Sequence, residues 1–137
     1  EYCTEFARRM LEDVGEFYPF GAEINASREL AALGFSDGEE RPLPQELYSY
    51  AQNVLTQRAA SGEVLGAAIA ANVDIPPQLD PTYPDGIRVH VESEGFCRLI
   101  YLPYAIGRSG LFGRNRTIKY DDMLGVDVPP IIFAKTV

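Results

Sequence analysis

The stretch from Gly86 to Leu102, G-I-R-V-H-V-E-S-E-G-F-C-R-L-I-Y-L, decides the fold. Ile87, Val89 and Val91 alternate with Arg88, His90 and Glu92, the period-two pattern of a strand with one buried face. Ser93-Glu94-Gly95-Phe96 has turn chemistry, and Cys97 to Leu102 is the returning strand. A three-residue loop centred on Gly95 sets Glu92 opposite Arg98, Val91 opposite Leu99 and Val89 opposite Tyr101. That register matches charge with charge and apolar with apolar. A hairpin at this point, in place of a βαβ crossover, directs the reading toward an α+β domain with an antiparallel sheet.

The flanking segments fit that class. Upstream, Val64 to Ile75 alternates on its odd positions, and its even positions are small until Asn72 and Asp74. A small-residue second face predicts another layer or a partner lying close above the strand. Pro76 to Gly86 (P-P-Q-L-D-P-T-Y-P-D-G) is too rich in proline to continue a sheet. Pro44 suits the first helical position, and Leu47, Ala51, Val54, Leu55 and Ala59 trace one face of a helix that Ser61-Gly62 ends. At the start, Tyr2, Phe6, Met10 and Val14, with Cys3, Ala7 and Leu11 beside them, predict an amphipathic helix stopped by Gly15. Strands are expected over Glu16 to Asn25, entering through Pro19, and over Glu29 to Phe35, with Asn25 to Arg28 as their turn and Ser36 to Pro44 as the following loop. Downstream, Pro103 to Arg116 reads as a glycine-punctuated loop, and Thr117 to Tyr120 and Ile131 to Phe133 as short strands. The expected order is α-β-β-α-β-β-β, with two helices covering one side of an antiparallel sheet of about five strands. Profilin-like and roadblock-like domains share this order as architecture, which carries no function by itself.

Composition bounds the rest. With 137 residues, 46% hydrophobic and 23% charged, the chain is expected to form a single domain over residues 1–137. Its longest nearly apolar run, Val64 to Ala71, falls short of the roughly 18–20 residues of a bilayer span, so no membrane association is expected. Twelve basic and twenty acidic residues give a net charge of −8, which disfavours nucleic acid as a partner. The charge is uneven: Gly95 to Tyr120 holds no acid but has Arg98, Arg108, Arg114, Arg116 and Lys119, leaving −13 on the remainder. Cys3 and Cys97, isolated from each other, suggest small apolar fillers in a reducing, cytoplasmic compartment. Glu1 opens a charged amphipathic segment unlike a secretory signal, and the start inside a periodic pattern without Met leads us to expect residues upstream.

Several landmarks together carry a resemblance. G-E-F-Y-P-F-G-A (Gly15 to Ala22), P-L-P-Q-E-L (Pro42 to Leu47), G-I-R-V-H-V-E (Gly86 to Glu92), L-P-Y (Leu102 to Tyr104), G-L-F-G (Gly110 to Gly113) and the final run Pro130 to Phe133 span nearly the whole chain. The pattern resembles a family of small uncharacterised bacterial proteins without an established activity. It implies a single domain and no particular reaction. The turn Asn25 to Arg28 lacks the Asp-Gly that similar sequences often carry, and Ile106 to Ser109 looks like an insertion.

Candidate chemistry is sparse. Arg88, His90 and Glu92 share one strand face, with Arg98 expected beside them, so general acid–base work centred on His90 and Glu92 is conceivable. His90 is the sole histidine, and no G-x-S-x-G supplies an activated serine. One histidine and two separated cysteines make no recognisable zinc site, and Asp121, Asp122 and Asp127 lack a calcium-loop pattern, so neither metal nor cofactor is expected. Gly107, Gly110 and Gly113 with Arg108, Arg114 and Arg116 have the composition of an anion cradle without a phosphate-loop motif. Tyr18, Phe20, Tyr48, Tyr50 and Phe112 are candidate contact residues in a chain with eight tyrosines and no tryptophan. The leading expectation is a non-enzymatic interaction domain, self-associating as a homodimer or binding another, basic protein, of which an antitoxin-like or immunity-like role is one version. The alternatives are a small-ligand or anion-binding domain using loop 107–116 with Arg88 and Arg98, and a small enzyme centred on His90 and Glu92.

Overall fold

A computed structural model describes residues 1–34, 38, 43–113 and 115–134. Among these the chain forms two helices, α1 (Tyr2–Asp13) and α2 (Pro44–Ala60). Seven strands accompany them: β1 (Phe20–Asn25), β2 (Leu30–Leu33), β3 (Val64–Asp74), β4 (Asp85–Ser93), β5 (Phe96–Ser109), β6 (Asn115–Tyr120) and β7 (Leu124–Asp127). All pairings are antiparallel, in the order β2-β1-β3-β4-β5-β6, with β7 also on β5. The α+β class stands, but the sheet has seven strands and not about five. No helix among the described residues is long and apolar enough to cross a membrane.

The helices occupy opposite faces of the sheet, which corrects the expectation that both cover one side. Cys3, Ala7 and Leu11 of α1 pack with Ala22, Ala70, Ile87, Val89, Leu102 and Tyr104. Ala51 and Leu55 of α2 pack with Ala67, Ile69 and Ile132. Neighbouring residues of a strand point to opposite faces, so Ala67 and Ile69 cannot share a layer with Ala70. The small even positions of β3 thus have the close second layer their size demands, and that layer is α1 itself. On the other face, Arg58 near the end of α2 forks onto the buried Glu23 of β1, through Nε and Nη2 at 2.9 and 2.8 Å.

The other differences concern the C-terminal third. Pro103 to Arg116 is no glycine-punctuated loop: β5 runs on to Ser109 and pairs with β6 from Tyr104↔Tyr120 to Ser109↔Asn115. Pro103 lies inside β5, between the β7 pairing that ends at Tyr101 and the β6 pairing that begins at Tyr104, where its missing N–H forfeits no outer ladder bond. The stretch expected as a last strand, Ile131 to Phe133, is a turn, and β7 precedes it. The expected strands before α2 are trimmed to Phe20–Asn25 and Leu30–Leu33, while the expected loop Ser36 to Pro44 lies mostly outside the described residues.

Because Ala70 is fully buried between α1 and the sheet, a larger side chain there has nowhere to go. Ala70→Leu is expected to lower unfolding free energy in urea by about 1–3 kcal/mol. Leu65→Thr, on an exposed position of the same strand, should change it by no more than about 0.5 kcal/mol.

Candidate functional site

The turn between β4 and β5 is two residues, Glu94-Gly95, with Ser93 opposite Phe96 and Gly95 at φ +78°. This is one residue shorter than the expected loop, and the shift sends every β5 side chain to the other face. Glu92 now faces Cys97, His90 faces Leu99 and Arg88 faces Tyr101. Arg98 points to the opposite face, where its Nε lies 3.0 Å from Asp127 Oδ1 on β7. Arg98 therefore does not join Arg88, His90 and Glu92; Cys97 does.

Glu92 is the hub of what results. Its carboxylate is 1% exposed and accepts three successive backbone N–H groups from the turn after Pro129-Pro130. Ile131 donates to both oxygens at 3.1 Å, Ile132 to Oε1 at 3.0 Å and Phe133 to Oε2 at 2.6 Å. His90 Nε2 donates to Oε1 at 2.8 Å, and the Cys97 thiol approaches the same oxygen at 3.3 Å. Burial by itself would raise the Glu92 pKa, but the backbone donors and His90 outweigh it and hold the carboxyl below its usual range. The carboxylate thereby ties the 131–133 turn to the sheet and seats Ile132 in the core beneath α2.

A histidine, a carboxylate and a thiol within 4.8 Å of one another resemble both a nucleophilic relay and a metal trio. The geometry serves neither well. Glu92 and Cys97 both approach the same imidazole nitrogen, Nε2, at 2.8 and 3.3 Å, so the ring does not pass a proton from one nitrogen to the other between them. Burial, then the bond to Glu92 and its charge, push the Cys97 pKa up to about 11, which keeps sulfur as the thiol. The oxygens of Glu92 that a cation would need already accept backbone N–H groups. The trio is built as an anchor.

Arg88 on the same strand face has a different setting. A groove of about 870 Å³ opens beside it, walled by Met10 and Val14 at the end of α1, by Phe17, Tyr18 and Pro19, by Pro44, Gln45, Tyr48 and Ser49 at the start of α2, and by Ala71, Asn72 and Val73 of β3, with Glu16 also in the lining. Ala71 is the β3 neighbour of Arg88, and its small side chain lets the guanidinium extend beneath β3 toward α2. There the guanidinium carbon sits 5.0 Å from the centre of the Tyr48 ring, a cation–π placement. Burial raises the Tyr48 phenol pKa, and the charge of Arg88 opposes that rise. Among the described residues Arg88 has no ion-pair partner, and its buried Nε has no hydrogen-bond acceptor. The first turn of α2 has no side-chain cap, and its Pro44 and Gln45 line the groove.

The remaining candidates are dispersed. Arg108 and Arg116 face each other across the β5–β6 pair and neither lines the groove, and Arg116 Nη1 donates to the Glu12 carbonyl at the end of α1 at 3.2 Å. Arg114 lies outside the described residues. Phe112, at φ +61°, lies between β5 and β6 at 85% exposure. Phe20 is core and not contact surface, its ring centre 4.8 Å from that of Phe6 and 5.7 Å from that of Phe17. Tyr18 and Tyr48 line the groove, whereas Tyr50 is exposed outside its lining. Cys97 and the 131–133 turn were missed because their partnership depends on the hairpin register and on a contact 39 to 41 residues away. The Glu-Gly pair at 94–95 was the available signal for the shorter turn. Comparison of the chain with protein-family models, curated proteins and solved structures finds no match in any of the three, so the resemblance described above rests on its own motifs.

Three outcomes test the anchor and the burial of the thiols. Glu92→Gln removes the charge and turns an amide N–H₂ toward backbone donors; a loss of about 3 kcal/mol is expected in urea unfolding, against about 0.5 kcal/mol or less for the exposed Glu46→Gln. Because the folded-state pKa of Glu92 is lowered, its stabilising contribution is complete above the usual value of 4.5 and lost as pH falls below it through the lowered one. Wild-type stability should therefore fall more steeply than that of Glu92→Gln below pH 4.5. Cys3 and Cys97, both pushed up to about 11, should resist iodoacetamide in the native state and react on unfolding.

Proposed function

We propose that this domain binds, without transforming, a ligand that carries a single carboxylate, and that the ligand lies in the groove with its charged end at Arg88. The observation that carries the reading is Arg88 itself. Its buried Nε lacks an acceptor, it lacks a counter-ion among the described residues, and Tyr48 holds it in position. Arg88 is half-buried, its Nε has left water without gaining an acceptor, and a carboxylate that meets the planar fork relieves that cost. The groove volume, about 870 Å³, falls within the range of small-ligand sites. Its mainly apolar and aromatic walls suit the uncharged remainder of such a ligand. Glu16 in the lining and the net charge of −8 disfavour a dianion such as a phosphate monoester. Anion binding thus moves from loop 107–116, where Arg108 faces Arg116, to the groove.

The test uses wild-type protein and two small probes of equal shape, 3-phenylpropionate and 3-phenylpropionamide. In amide-correlation spectra the carboxylate should perturb Ala71, Asn72, Val73 and the Arg88 Nε–H in the millimolar range, and the amide should not. Arg88→Gln, with the rest of its spectrum unchanged, should weaken carboxylate binding about ten-fold, about 1.4 kcal/mol. Equal binding of the two probes, or perturbation by neither, would overturn the reading.

A further inference from the structure

The groove has a feature that a pocket for a compact molecule does not need. Pairing between β1 and β3 stops at Phe20↔Ala70. β3 nevertheless runs on to Asp74, still paired with β4 on its other side as far as Asp74↔Asp85. Before Phe20 the chain leaves the sheet through Pro19, which has no N–H to donate. Among the described residues, Ala71, Asn72 and Val73 therefore present a strand edge with no strand beside it, and all three line the groove. The end of α1 closes one side of this space with Met10 and Val14, and the start of α2 closes the other with Pro44 and Tyr48. Along this edge, on the side of β3 where β1 pairs further on, the groove forms a slot that Phe17, Tyr18 and Pro19 also line.

Resting on the carboxylate reading above, we infer that the ligand is the C-terminal end of an extended peptide, which enters the slot as a short strand on β3. The direction follows from the register. Arg88 lies opposite Ala71, at the end of the slot nearest Phe20, so the terminal carboxylate belongs there. The peptide then runs from Val73 toward Ala71, antiparallel to β3 and continuous in direction with β1. At about 3.4 Å per residue, three or four peptide residues span the open edge. Main-chain hydrogen bonds to β3 supply an affinity that is independent of side-chain identity. Alternate side chains point toward Met10 and Val14 on one face and toward Tyr48 on the other, and these apolar walls select β-branched or apolar residues. A peptide carboxylate bears one negative charge, which fits a lining that already includes Glu16.

The probe is an acetylated tetrapeptide of alternating valine and threonine with a free C-terminal carboxylate. Its C-terminal amide and two N-methylated versions, each blocking one set of alternate amides, are measured beside it, with 3-phenylpropionate as the small-carboxylate reference. The free acid should bind and slow hydrogen exchange of amides within Ala71–Val73, and the C-terminal amide should bind about ten-fold more weakly. One N-methylated version should lose binding and the other retain it, because only one set of amides faces β3. If both N-methylated versions bind like the parent, or 3-phenylpropionate binds and the peptide does not, the added strand is wrong and the carboxylate site stands. If neither the peptide nor 3-phenylpropionate binds, both fall.

Discussion

A single buried carboxylate organises the C-terminal half of this domain. Glu92 is taken out of water in the middle of a protein layer, a placement that is strongly unfavourable for an unpaired anion. What makes it tolerable is the concentration of donors around it: three consecutive backbone N–H groups from Ile131 to Phe133 and the imidazole of His90. Successive N–H groups of this kind form an anion-binding concavity, here filled by the protein's own side chain. The turn gains a fixed position, and Ile132 gains a place among Ala51, Leu55, Ala67 and Ile69. Sheet, α2 and the 131–133 turn are thus tied through one residue.

That role also accounts for the chemistry available elsewhere. His90, Glu92 and Cys97 are the residue types of a reactive centre, but each is engaged in the anchor and shielded from solvent. Arg88, two positions earlier on the same strand face, differs because it reaches past the small Ala71 to the groove and keeps donor capacity unspent. One strand face therefore divides into a half engaged in the anchor and a half to which the proposed function assigns binding. Under the proposed function the division serves recognition, and the inferred peptide strand on β3 would be a form of protein interaction.

Much of the fold was legible because it rests on local pattern. The alternation of Val64 to Asp74, the small even positions that α1 covers, Pro44 at the first position of α2 and the hairpin around Gly95 all follow from side-chain period and turn chemistry. The two-sided arrangement of the helices was implied by Ala68 and Ala70, yet only the long-range packing of Cys3, Ala7 and Leu11 identifies the covering layer. The register was misread by one residue because pairing Glu92 with Arg98 satisfies the two charges locally. The real solution gives Glu92 distant N–H groups and gives Arg98 the carboxylate of Asp127. Continuation of β5 through Pro103 to Ser109 was hidden by glycines that ordinarily punctuate loops, and the groove depends on where β1 stops, which no motif marks.

Native-state hydrogen exchange of the Ile131, Ile132 and Phe133 amides tests the account most directly, since these three protons are said to be held by Glu92. They should exchange nearly as slowly as the core-strand amides of Ile69 and Val89, and together, because one carboxylate holds them all. Exchange at the rates of an unstructured peptide, under conditions in which β3 and β4 remain protected, would contradict it.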